Sequence, residues 1–185
     1  MLSIDRLKYI EGIQKYTRFS VVTTIAIAIV VLVIIVVSHT VIKEKELSDI
    51  LYSPFLMITV VALLLYCFIL YRIKQRTQRL QELIEQMSEE EFQFLLQAQS
   101  SLSFYYKYAP TFVICRDRLY LFTLFEIKEI DPKKVEKVAY HYARGGSFLV
   151  EIQSPETTKL EVYTSSFPYL KSLIRKYNPN ADIKD

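Results

Sequence analysis

Two uncharged apolar runs, Phe19–Val37 and Pro54–Tyr71, dominate the pattern of hydrophobic and polar positions. At about 1.5 Å of rise per residue, a helix over either run is close to the thickness of a bilayer's hydrocarbon core. The pattern therefore predicts a two-helix transmembrane hairpin, residues 19–71. Its spans cover about 19–38 and 54–71, joined by a short extracytoplasmic connection. The first run is too long, and Val33–Val37 too bulky, for a cleaved signal peptide. Upstream, Ile4, Leu7, Ile10 and Ile13 recur every third residue behind Ser3, a candidate N-cap. Residues 1–18 thus read as a cytoplasmic amphipathic helix against the inner leaflet, or as a frayed extension of the first span.

From Arg72 to Gln99 the chain has neither Gly nor Pro and reads as helix. Leu80, Leu83, Met87 and Phe94 fit a heptad seam that Arg76 and Glu90 interrupt. Ser88 and Glu91 have the spacing of a capping box, which predicts a helix that breaks there and restarts. Residues 72–107 form a helical stalk in this reading.

Beyond Ala109-Pro110 the period turns strand-like. Thr111–Cys115 and Leu119–Phe125, apolar on both faces, flank a hairpin connection at Arg116-Asp117-Arg118. Glu126–Ile130 is a further strand, ended by Asp131-Pro132. Val138–Ala143, Phe148–Gln153 and Lys159–Thr164 follow, separated by turns at Arg144–Ser147 and Ser154–Thr157. Phe167–Tyr177 has helical spacing, with Ser165 and Ser166 as its expected caps and Asn178-Pro179 as its stop.

Charge adds orientation. Arg6, Lys8, Lys15 and Arg18 precede the first run, and Arg72, Lys74, Arg76 and Arg79 follow the second. The connection Ser38–Ser53 holds only Lys43 and Lys45, offset by Glu44, Glu46 and Asp49. The positive-inside rule then places both termini in the cytoplasm, as a multi-pass protein of the plasma (inner) membrane. Arg72, Lys74, Arg76 and Arg79 are the candidate membrane-surface residues, for anionic lipid or simply for orientation. With those four set aside, residues 72–185 carry 13 basic against 15 acidic side chains, so no basic stripe for nucleic acid is expected.

Chemistry is sparse. Cys67 and Cys115 lie in different predicted segments and lack metal-ligand spacing. A Cys115–His141 neighbourhood across the sheet is the one thiol arrangement worth testing, and His39 stands alone. Only three Gly occur, against a Gly-rich phosphate loop. No catalytic residue, cofactor or metal is expected, and neither run carries an ionisable group of the kind that marks an ion path.

TFVICRDRLYLF as a first hairpin, FEIKEIDPKKVEKV as a strand and turn, and FPYLKSLIRKYNPN as a closing helix carry a resemblance. The arrangement resembles uncharacterised bacterial two-span membrane proteins with a pleckstrin-homology-like cytosolic domain. The likeness covers Tyr108–Asn180, and it implies an antiparallel sheet or barrel closed by a C-terminal helix at residues 108–185. The expected fold class is a membrane α-helical hairpin plus an α+β domain. The phosphoinositide pattern of related eukaryotic domains is largely missing, since the hairpin offers only Arg116 and Arg118 around Asp117.

The expected function is a non-enzymatic, membrane-anchored interaction or scaffold protein at the cytoplasmic face of a bacterial membrane. Its expected partners are the lipid bilayer and an unidentified membrane or cytosolic protein, with a homo-oligomer possible. The alternative is an accessory subunit or immunity-type protein acting through its two helices on a transporter, channel or toxin, with the Thr24/Ala28 small-residue spacing as its support.

Overall fold

The computed structural model describes residues 3–43, 54–100, 102, 104–123 and 126–183. Helix α1 is Ile4–Lys43 and α2 is Pro54–Gln86. The polar part of the expected connection, from residue 44 to 53, lies outside the described residues, as does the His39 side chain. By its contacts the chain divides into two units. One is helical, Gln14–Thr77, and the other combines the first thirteen residues with Gln78–Asp185.

The two-span membrane hairpin and the multi-pass inner-membrane localisation are corrected by this structure. Among the described residues, no helix is long and apolar enough to cross a membrane. Both runs sit inside longer helices whose other ends are charged. Run length alone sets each apart as a separate element, whereas the helices continue through charged residues. Within the helical unit the Thr17 and Thr77 hydroxyls meet at 3.0 Å, joining α1 to α2.

The second unit is α+β. After α2 come α3 (Glu89–Ser100), the short α4 (Phe104–Lys107), strands β1 (Phe112–Cys115), β2 (Arg118–Phe122) and β3 (Ile127–Ile130), and a 3-10 turn at Pro132–Lys134. Then follow β4 (Lys137–Ala143), β5 (Ser147–Ser154), β6 (Glu156–Tyr163), helix α5 (Phe167–Tyr177) and β7 (Asp182–Ile183). The strands form two sheets, a three-stranded β1-β2-β3 and a four-stranded β6-β5-β4-β7. The expectation of one sheet or barrel is corrected accordingly. The short β7, which the sequence reading missed, pairs parallel to β4, Val138 opposite Ile183.

Two apolar clusters hold the unit together. Phe112, Ile114, Leu119 and Leu121 turn inward from the three-stranded sheet to meet Val138, Val150, Ile152, Leu160 and Val162 of the other sheet. Leu170, Leu173 and Ile174 of α5 complete that cluster. Val113, Cys115 and Phe122, on the opposite face, pack with Tyr9, Ile13, Leu80, Leu83, Ile84 and Phe92. Hence β1 and β2 are apolar on both faces because helices cover one and a sheet covers the other.

The second cluster changes the reading of the N-terminal helix. Tyr9 and Ile13 are buried in it, as is Arg6, whereas Ile4 and Leu7 are exposed. Of the four residues in the three-residue apolar spacing, Ile13 is buried in the cluster and Ile10 packs against it, while the stripe runs on through Tyr9 and Arg6. The buried stripe is Arg6, Tyr9 and Ile13, which also satisfies i, i+3, i+7. Gly12 lies within this seam, and a Cβ built there would overlap the Tyr108 ring. Tyr9 donates its hydroxyl to the Lys107 carbonyl at 2.8 Å.

Candidate interaction surfaces

Three elements of the α+β unit converge on a cleft of about 340 Å³. The first is the start of α3, where the predicted capping box forms. The Glu91 N–H donates to Ser88 Oγ at 3.2 Å and the Ser88 N–H donates to Glu91 Oε2 at 2.8 Å. This pair satisfies two of the four N–H groups a helix start leaves open. The second is the β1–β2 hairpin, whose two turn residues, Arg116 and Asp117, have φ of 52° and 60°. That left-handed pair matches the twist of a two-residue hairpin, at a cost that glycine would avoid. The third is α5, which supplies Lys176 and Tyr177. Phe94, Ile114 and Leu173 give the cleft an apolar floor.

Four of its polar groups, Ser88, Glu91, Asp117 and Tyr177, are engaged with one another. The Tyr177 hydroxyl donates to Asp117 Oδ1 at 2.7 Å, and the Asp117 N–H donates to Glu91 Oε1 at 3.4 Å. The chain Ser88–Glu91–Asp117–Tyr177 thus ties helix start, strained turn and closing helix together. Burial, followed by the Asp117 acceptor and nearby negative charge, pushes the Tyr177 phenol well above the ordinary tyrosine range. Tyr9 is shifted the same way, chiefly by burial and then by Tyr108.

Both shifts bear on stability. A raised folded-state pKa favours folding most below the unfolded value, near 10, and that contribution is lost as pH rises through the folded value. Chemical denaturation between about pH 9 and about pH 12 should show stability falling, with the fall reduced in Tyr177→Phe. Phenolate absorbance should show a late-titrating group of tyrosines that includes Tyr9 and Tyr177. If all fourteen tyrosines ionise together near 10 in the folded protein, this account of the cleft is wrong.

The charged residues expected at a membrane surface divide between the two units. At 3.6 residues per turn, Arg72 and Arg76 share a side of α2 within the helical unit and Lys74 lies opposite. Arg72 donates to Gln75 Oε1 at 3.3 Å in the helical unit. Arg79 belongs to the α+β unit, where it pairs with Glu82 at 2.9 Å and lies 5.7 Å from the Tyr120 ring centroid.

Cys115 and His141 fall on different sheets. Cys115 is buried on β1 with its thiol toward the Leu83 carbonyl at 3.6 Å, and burial raises its pKa, which disfavours thiolate chemistry. His141 is exposed on β4 opposite Leu149. Both cysteines are free thiols. Ser166 sits at the start of α5 without making a side-chain cap, since its hydroxyl donates instead to the Ala98 carbonyl at 3.2 Å.

Two features escaped the sequence reading. Arg6, counted there as an orienting charge, is buried. Its Nη1 donates to the Met87 carbonyl at 2.7 Å and the Ile84 carbonyl at 3.4 Å, and its Nη2 reaches Glu89 at 3.2 Å. It therefore satisfies carbonyls left open at the C-terminus of α2, where a cation is favoured. The Ser88/Glu91 spacing, which places a helix end at that point, was the available signal. The other feature is β6, which ends its sheet and pairs only with β5 among the described strands.

Searches against protein-family models, curated proteins and solved structures each returned no match.

Proposed function

We propose that this chain is an interaction protein that works by binding rather than catalysis. The observation that carries the reading is the apolar surface of the helical unit. Phe19, Val22, Ile25, Ile27, Ile29, Val30, Val31 and Val33 are all exposed on α1. Val60, Val61, Leu63, Leu64, Leu65, Phe68 and Ile69 are exposed on α2. At 3.6 residues per turn, Ile25 and Ile27 point to opposite sides of the helix, so the exposure is not one stripe. Contiguous apolar surface of that extent marks a contact site, because each large side chain withdrawn from water contributes about 1.5–3 kcal/mol.

The α+β unit supports the same reading in another way. Four polar groups of its cleft bond to one another, its thiol is buried, and its histidine is exposed on the other sheet. A folded domain in the same chain as an apolar helical pair suits a scaffold.

The test is photo-crosslinking in intact cells, with a benzophenone amino acid at Ile25 or Leu64 of the full chain. Discrete protein adducts of higher mass are expected at both positions and not at Lys134, which is exposed on the α+β unit. Monomer alone at Ile25 and Leu64 would sink the proposal.

A further inference from the structure

We infer that β6 is a self-pairing edge, through which a second copy of this chain adds antiparallel to the four-stranded sheet. The inference rests on backbone direction and charge register, independently of the apolar helices.

Backbone direction follows from the β5–β6 ladder. The Thr164 N–H donates to the Gly146 carbonyl at 3.1 Å, one position beyond the Ser147–Tyr163 pair. Bonded and non-bonded pairs alternate along an antiparallel ladder. Val162, Leu160 and Thr158 therefore turn their N–H and C=O groups toward β5, and Glu161, Lys159 and Thr157 turn theirs away from it. The Gln153 carbonyl, one strand over, agrees. Gln153 pairs with Thr157 and accepts from the Glu136 N–H on the side remote from β6.

Among the described residues, the edge is engaged at its ends and pairs with no strand between them. Lys128 reaches Glu156 at 3.6 Å, and the Tyr106 and Tyr163 rings lie 4.5 Å apart. Thr157, Lys159 and Glu161 are exposed, while Thr158, Leu160 and Val162 are buried on the core face. This central stretch has no proline and no bulge, and the charges it carries, the remaining device that blunts an edge, are of both signs, Lys159 and Glu161.

Charge selects the occupant and the register. A two-fold axis through Leu160 places Lys159 of one copy opposite Glu161 of the other, twice over. These are the residues whose backbone groups point outward, so each charge pair coincides with a hydrogen-bonded pair. Sliding the copies to centre on Lys159 or on Glu161 sets like charges face to face, which is unfavourable. Glu151 already lies 3.3 Å from Lys159 across β5, so the row would alternate in sign through the axis. On the other face, Val150 and Leu160 of one copy would continue into Leu160 and Val150 of its mate. A strand edge that is complementary to itself meets the requirement of an isologous contact.

The test uses full-length chains carrying Cys67→Ser, with Lys159→Cys in one sample and Glu161→Cys in another. Mixed and mildly oxidised, the two should form a disulfide dimer about ten-fold more abundant than either alone, since only the mixed pair is directly opposed. Lys159→Glu should weaken self-association about ten-fold by creating two like-charge pairs, and Lys159→Glu with Glu161→Lys should restore it. Equal dimer in all three cysteine samples, no dimer in any, or indifference to Lys159→Glu would overturn the inference.

Discussion

Phe92→Ala should lower the unfolding free energy by about 3–5 kcal/mol, the range for deleting a fully buried aromatic ring. Phe92 is 0% exposed at the centre of the cluster that joins the N-terminal helix, the end of α2, α3 and the outer face of the three-stranded sheet. Its ring meets Tyr9 edge-on at 6.0 Å, and the Arg6 guanidinium lies 5.1 Å from its centroid. Truncation therefore removes apolar burial, an aromatic pair and a cation–π contact at once. Urea titration of the full chain checks it. A loss below about 1 kcal/mol would show that the seam collapses onto the gap or is not formed in solution.

Arg6→Ala is expected to cost about 2–3 kcal/mol, because the Met87 and Ile84 carbonyls lose a buried charged donor. Arg6→Lys should recover less than half of this. An ammonium is a point donor and cannot reach two carbonyls and Glu89 from one planar group. The Glu89 arm alone contributes little, since that carboxylate is 59% exposed. Measured together, Arg6→Ala and Phe92→Ala should be non-additive, because both act on one stacked arrangement. Strict additivity would deny that the guanidinium rests on the ring.

Much of the α+β unit was legible in its residues. Thr158, Leu160 and Val162 alternate with Thr157, Lys159 and Glu161, and that period of two is the buried and exposed pattern observed. The helix read at Phe167–Tyr177 has those same bounds. The capping box at Ser88 and the hairpin at Arg116-Asp117 were both written in local chemistry, where neighbours in sequence decide the outcome.

What failed depended on distant partners. Ile4, Leu7, Ile10 and Ile13 offered one plausible face and Arg6, Tyr9 and Ile13 another, and only the tertiary contacts separate them. Arg6 looked like a solvated charge because its partners lie about eighty positions away. The β6 edge was likewise illegible, since a strand becomes terminal only through the order of the sheet. The apolar runs misled by their length, which says that water is unfavourable around a segment but not what replaces it.

Because Tyr9 and Ile13 pack with Leu80–Met87, Phe92 and the outer face of β1, the α+β unit is sewn from segments about seventy residues apart. At translation rates of about 5–20 residues per second, the first-made turns wait on the order of ten seconds before their companions leave the ribosome. Through that interval Tyr9 and Ile13 have nowhere to go, and the nascent polypeptide carries an unfinished seam that only its later-made segments can close.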